Sequence, residues 1–148
     1  MTEEIFDLRE ICNLLYGRHL KMGFADNYIG GQVRFLQGLL LFLKGGITMK
    51  GKFELGQIVA TAAIDERIKA DDQFFVFVLR SIARHAVCDW GDMCEEDKAL
   101  NDQAIIPGRQ AGLHSSYTYS GEDGAQTKIW IITERDRSAT TILFPEDY

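Results

Sequence analysis

The chain has 148 residues, 46% hydrophobic and 26% charged, enough for one domain to bury its own core and too apolar for global disorder. A net charge of −6 and a pI near 5.0 argue against direct nucleic-acid binding, which needs clustered Lys and Arg to displace counterions. Three cysteines without framework spacing (Cys12, Cys88, Cys94) and no signal-like opening point to a reduced, cytoplasmic protein.

In chain order, Ile5, Leu8, Cys12 and Leu15 recur at helical spacing, with Thr2 as N-cap and Gly17 as stop, which predicts an amphipathic helix. A second helix is expected over 32–43. Its apolar run, 33–43, is well short of the ~20 residues a bilayer span needs and is interrupted by Arg34 and Gln37. It reads as a core helix or a homo-oligomer interface, without the basic face of a membrane-surface helix. The following "KGGITMKGK" reads as a linker, so 1–48 is expected to be a helical extension and 49–148 the core domain.

"KFELGQIVAT" predicts a strand near 53–61 with a bend or bulge at Gly56, and "AAIDERIKA" a short helix. In "DDQFFVFVLRSIARHAV", Asp71 or Asp72 is the N-cap of a core helix striped with Phe74, Phe75, Val78, Leu79, Ile82 and Ala86. "LHSSYTYS", "TKIWIITE" and "ATTILF", joined by short turns, predict a three-stranded antiparallel meander. Helices followed by strands give an α+β fold, with helices packed on a small antiparallel sheet made of the meander and the 53–61 strand.

The densest chemistry lies in "HAVCDWGDMCEEDKALND", residues 85–102. Zinc would need a second close ligand pair beside His85 and Cys88, and Cys94 stands alone, so no metal is expected. The same residues suit a helix end and a new helix start. His85 and Cys88 fall in the last turn, Trp90 packs across the corner, and Asp92 caps the next helix in a box with Glu95. A Cys88 or Cys94 nucleophile paired with His85 or His114 has no third, orienting group, and its thiol is surrounded by carboxylates. No glycine-rich phosphate loop is present and no cofactor is implied. Glu134, Arg135, Asp136 and Arg137 alternate in sign, as in an ion-paired hairpin loop; as a site, Arg137 with Ser138 and Thr140 could hold an anion. Tyr117, Tyr119 and Trp130 are sheet aromatics, divided between core and cross-strand pairing.

The stretches "KFELGQIVAT", "DWGDMCEEDKALND", "SSYTYS" and "KIWIITERDRSATTILFPEDY" resemble a family of small bacterial proteins found on plasmids, phages and integrated elements. The resemblance covers about residues 49–148 and implies no reaction or ligand set. Where that family usually has Gly, this chain has Cys88. The expected function is a non-enzymatic protein-interaction factor of a mobile element, modulating defence through an acidic surface that binds a protein partner. The alternative is a small enzyme or ligand-binding domain around His85, Trp90, Asp92 and Arg137. Across both, the candidate binding residues are His85, Trp90, Asp92, Glu95, Glu96, Trp130 and Arg137.

Overall fold

The computed structural model of the protein describes residues 5–7 and 48–148. Two short strands, β1 (Ile5–Asp7) and β2 (Thr48–Lys50), pair antiparallel with Phe6 opposite Met49. The remainder is β3 (Gln57–Ala60), α1 (Ala62–Ala70), α2 (Asp72–Ala86), α3 (Glu95–Ala104), β4 (Leu113–Ser120), β5 (Gln126–Thr133), β6 (Ala139–Leu143) and a closing 3-10 turn, Pro145–Asp147. Among the described residues this is an α+β arrangement of three helices and a four-stranded sheet, beside the β1–β2 pair.

Two expectations change at the start of the chain. The helix expected from Ile5 is a strand over residues 5–7, because pairing with a segment some forty residues away overrides the local 3.6-residue period. The segment read as a linker supplies its partner, β2. The rest of the first expected helix, and the 32–43 helix, lie outside the described residues.

Beyond β2, α2 forms as its stripe demands. Asp71 is its N-cap, with the carboxylate accepting from Phe74 N at 3.0 Å. Phe74, Phe75, Val78, Leu79, Ile82 and Ala86 are all buried. With Ile64 and Ile68 of α1 they pack on the inward residues of the sheet, Tyr117, Ile129, Ile131 and Ile142. Each such side chain contributes roughly 1.5–3 kcal/mol by burial.

β4, β5 and β6 make the expected antiparallel meander, but the sheet is mixed rather than antiparallel. Its order is β3-β6-β5-β4, and β3 lies parallel to β6 with Ile58 opposite Thr140. The helices between β3 and β4 carry the chain across, which leaves β3 running the same way as β6. Gly56 is not a bulge within a strand. It precedes β3 at φ 61°, where a Cβ would sit 2.3 Å from the Arg137 carbonyl oxygen, so only glycine lets the two backbones meet.

The outer edge of β4 is covered by the corner before α3. Asp92 N donates to Ser116 O (2.7 Å) and Ser116 N to Trp90 O (3.3 Å). One turn further along, the Asn101 side chain pairs with His114 as a strand would, donating to its carbonyl (2.6 Å) and accepting from its amide (3.1 Å). That edge is thereby closed to pairing with another chain over these residues.

Candidate functional site

The corner at 85–102 places its residues in two environments, one interior and one facing solvent. His85 belongs to the interior. It points from the last turn of α2 into the sheet and is fully buried. Its Nδ1 lies 2.6 Å from Ser115 Oγ on β4, and its Nε2 lies 2.8 Å from Thr133 Oγ1 on β5. Thr133 Oγ1 is 2.8 Å from Thr140 Oγ1 on β6, which donates to the Leu55 carbonyl at 2.6 Å.

The carbonyl end fixes every proton in this chain. Leu55 O can only accept, so Thr140 spends its hydrogen there and must accept from Thr133. Thr133 in turn accepts from His85 Nε2–H, and Ser115 donates to the bare Nδ1. The ring is therefore the neutral Nε2–H tautomer. Burial pushes its pKa down to about 3, with His114 and the Arg137 guanidinium adding to the effect. Ser115 Oγ has a base at hydrogen-bond distance, as an activated hydroxyl requires, but Ser115 is completely buried and faces no substrate.

Two rings meet over His85. Phe53 stands edge-on to it (centroids 5.3 Å apart), Trp90 stands edge-on at 5.6 Å, and Phe53 stacks on Trp90 at 6.0 Å. Trp90 is buried and donates Nε1–H to Asp102 (2.8 Å). Arg137 covers the other side of Phe53, its guanidinium carbon 5.8 Å from the ring.

Arg137 is not in an ion-paired loop and offers no anion site. It is buried, and its guanidinium donates to the carbonyls of Ala111 (2.7 Å), Glu134 (3.1 Å) and Ala104 (3.1 Å). It ties the end of α3, the 111 loop and the β5–β6 turn together. Its backbone sits at φ 61°, the left-handed position after a tight turn where Gly is usual. Thr140 is likewise committed to the hydroxyl chain. Around this turn, Gln110, Glu134, Arg135, Asp136 and Ser138 line an open surface depression.

The helix start also differs from expectation. α3 begins at Glu95 with Cys94 as N-cap and no side-chain cap bond, so Asp92 and Glu95 form no capping box. Asp92 instead accepts from Thr118 Oγ1 (2.8 Å), holding the corner to β4. The first-turn carboxylates Glu95, Glu96 and Asp97 lie where the helix dipole favours them, and all three are exposed.

Neither Cys88 nor Cys94 is primed as a nucleophile. Burial pushes the Cys88 thiol up to about 11. At Cys94 the Asp97 amide pulls the pKa down but is outweighed, chiefly by the Asp97 and Glu96 carboxyls, leaving it raised. Cys88 has a structural peculiarity instead. It follows α2 at φ 65°, with Cys88 N donating to His85 O (3.0 Å) and Asp89 N to Arg84 O (2.9 Å), the two bonds of a Schellman stop.

Trp130 lies on the opposite face of the sheet from His85, half-buried, with its ring against His114 (4.7 Å) and Tyr148 (5.9 Å). His114 Nε2 is buried there without a hydrogen-bond partner, and burial lowers the pKa of its ring. The structure thus brings together His85, Trp90 and Arg137 as interior residues around Phe53. It leaves Glu95 and Glu96 on the surface of α3, puts Asp92 at the β4 edge, and sets Trp130 on the other sheet face from His85.

Among the described residues no cluster of His, Cys, Asp and Glu could hold a metal ion, and no helix is long and apolar enough to cross a membrane. Sequence reasoning missed Leu100, 63% exposed on α3, and Ile106, 44% exposed just beyond it. It also missed Ser115 and Thr133 as partners of His85, and Thr140 as the next link in their chain. No family model, curated protein or solved structure matches the chain.

Proposed function

We propose that this chain is a non-enzymatic, cytoplasmic interaction factor of a mobile element, gripped by a basic surface of a protein partner through the outer face of α3. The observation carrying this reading is Leu100, a large apolar side chain 63% exposed on a helix whose first turn is Glu95, Glu96 and Asp97. An exposed leucine on the same short helix as three first-turn carboxylates offers a partner an apolar contact beside a negative charge. The carboxylates would steer a cationic partner and fix its register, while Leu100 and Ile106 would supply the desolvated contact. The resemblance of residues 49–148 to plasmid- and phage-borne proteins supports the mobile-element setting. The competing ligand-binding reading needs His85, Trp90 and Arg137 to face a cavity, and their polar groups are already bonded within the protein.

Affinity capture from host lysate at low and high salt, with wild type and with Leu100→Ser and Glu96→Lys, tests this. The expected result is a partner that high salt releases and that each substitution weakens by about tenfold or more, while the stability of each variant stays within about 0.5 kcal/mol of wild type. A partner that binds both variants as tightly as wild type, or no partner at either salt concentration, overturns the reading.

A further inference from the structure

The hydroxyl chain through His85 has no part in the α3 surface, yet it is the most constrained polar feature described. It joins β4, α2, β5 and β6 and ends on the carbonyl of Leu55, in the segment leading into β3. That segment, residues 52–56, lies across the end of α2. Lys52 N donates to Ala86 O (2.8 Å), the Phe53 ring packs on His85 and Trp90, and Leu55 is fully buried. Three strands and a helix are thus fastened to one strap through a single titratable ring.

Nothing in the chain can absorb a positive charge, because its other members are three hydroxyls and a carbonyl. The charged or titratable groups near the ring make matters worse. Arg137 from the β5–β6 turn and His114 from β4 both oppose its protonation. Tyr117 on β4 and Cys88 beyond α2 are held neutral, their pKa values raised by burial. The nearby carboxylate of Asp102 on α3 lies behind Trp90 and is bonded to its indole. A second proton would also turn Nδ1 from acceptor to donor, which Ser115 can meet only by turning its own hydrogen away, while the bonds from Nε2–H to the Leu55 carbonyl keep their direction.

We propose that His85 is an acid-sensitive latch: a charged ring is not tolerated in this fully buried joint, which holds no carboxylate to pair with it, so acid frees the 52–56 strap and Trp90 while the β4–β5–β6 sheet stays paired. The folded protein keeps the ring neutral down to about 3, whereas a free imidazole titrates at 6.5. The stability that the neutral ring provides is therefore complete above pH 6.5 and is lost progressively as pH falls from there toward 3. Opening the strap lets the ring reach water and take its proton in that window. The β4–β5–β6 pairing itself runs through backbone ladders and the hydrophobic contacts of Tyr117, Ile129, Ile131 and Ile142, none of which takes up a proton in this range.

The test is residue-resolved NMR of the full chain from pH 7 to 3, following the His85 ring nitrogens, the Trp90 indole, and exchange of the Lys52 amide against those of β5. At pH 7 the ring is expected as the Nε2–H tautomer. On acidification, exchange of Lys52, corrected for the intrinsic pH effect, should speed up by more than about tenfold, together with a shift of the Trp90 indole, while β5 stays protected. His85→Gln, whose amide can both donate and accept without titrating, should abolish this step or move it down by about one pH unit or more. His114→Gln should leave it in place. Loss of Lys52 and β5 protection together in wild type overturns the latch, and so does protonation of His85 without any change at Lys52. If His85→Gln does not fold, the wild-type titration alone decides; if it folds and keeps the step, the proposal fails.

Discussion

The interior joint around His85 and the outer face of α3 come from one eighteen-residue stretch, yet they use polar side chains in opposite ways. In the joint, each side-chain polar group of His85, Thr133 and Thr140 meets a protein partner within 2.8 Å. On α3 the carboxylates of Glu95, Glu96 and Asp97 stand in solvent, where one i,i+3 ion pair, Lys98 to Glu95 at 2.9 Å, is worth little. Losing a buried partner leaves a desolvated group unpaired, whereas losing an exposed one lets water replace it. The interior should therefore be intolerant of change and the helix face tolerant, which leaves the helix face free to serve a partner.

The sharpest way to break this contrast is at Arg137. Arg137→Ala removes three charged-donor hydrogen bonds and uncovers the carbonyls of Ala104, Ala111 and Glu134. We expect a loss of about 2–4 kcal/mol in denaturant unfolding. Arg137→Lys should recover less than half of it, because an ammonium cannot reproduce the planar fork that reaches both the 111 loop and the end of α3. A cost below about 0.5 kcal/mol would mean that Arg137 behaves as a surface residue, and the contrast would fail there.

Thr140→Val tests the joint with a smaller change. Valine keeps the shape but leaves Leu55 O without a donor and frees the Thr133 hydroxyl to turn. The expected cost is about 1–2 kcal/mol. The more telling readout is the His85 ring: once Thr133 no longer has to donate to Thr140, the Nδ1–H tautomer should become detectable by nitrogen NMR. A ring that stays wholly Nε2–H would show that something other than the Leu55 carbonyl sets its tautomer.

Local rules carried much of the fold. The stripe of α2 and its Asp71 cap, the alternation within β4, β5 and β6, and the acidic first turn of α3 all follow from neighbours a few residues apart. What escaped is non-local. The partners of His85 lie 30 and 48 residues away, β3 finds β6 across three helices, and Asn101 mimics a strand beside His114. A signal for the joint was nonetheless present. Ser115 falls in phase with Leu113 and Tyr117, and Thr133 in phase with Ile129 and Ile131, so both hydroxyls face the core and require a partner there. For the inward turn of Arg137 no local signal existed, since its loop reads as alternating surface charge.

Cys88 gives the mildest test and joins the two regions, since it stands between the helix carrying His85 and the corner leading to α3. Its left-handed φ of 65° disfavours any residue with a Cβ. Against this, the half-buried thiol packs beside Trp90 and Leu113. Cys88→Gly relieves roughly 1 kcal/mol of backbone strain but gives up part of that packing and adds chain entropy to the unfolded state. The net effect should be a change of less than about 1 kcal/mol, in the stabilising direction if strain dominates. Cys88→Ala separates the terms, because it keeps the strain and loses only the sulfur contacts. It should be less stable than both wild type and the glycine variant in the same unfolding measurement. An alanine variant as stable as the glycine variant would show that the left-handed stop costs this helix nothing, and that Cys88 is held there by its packing alone.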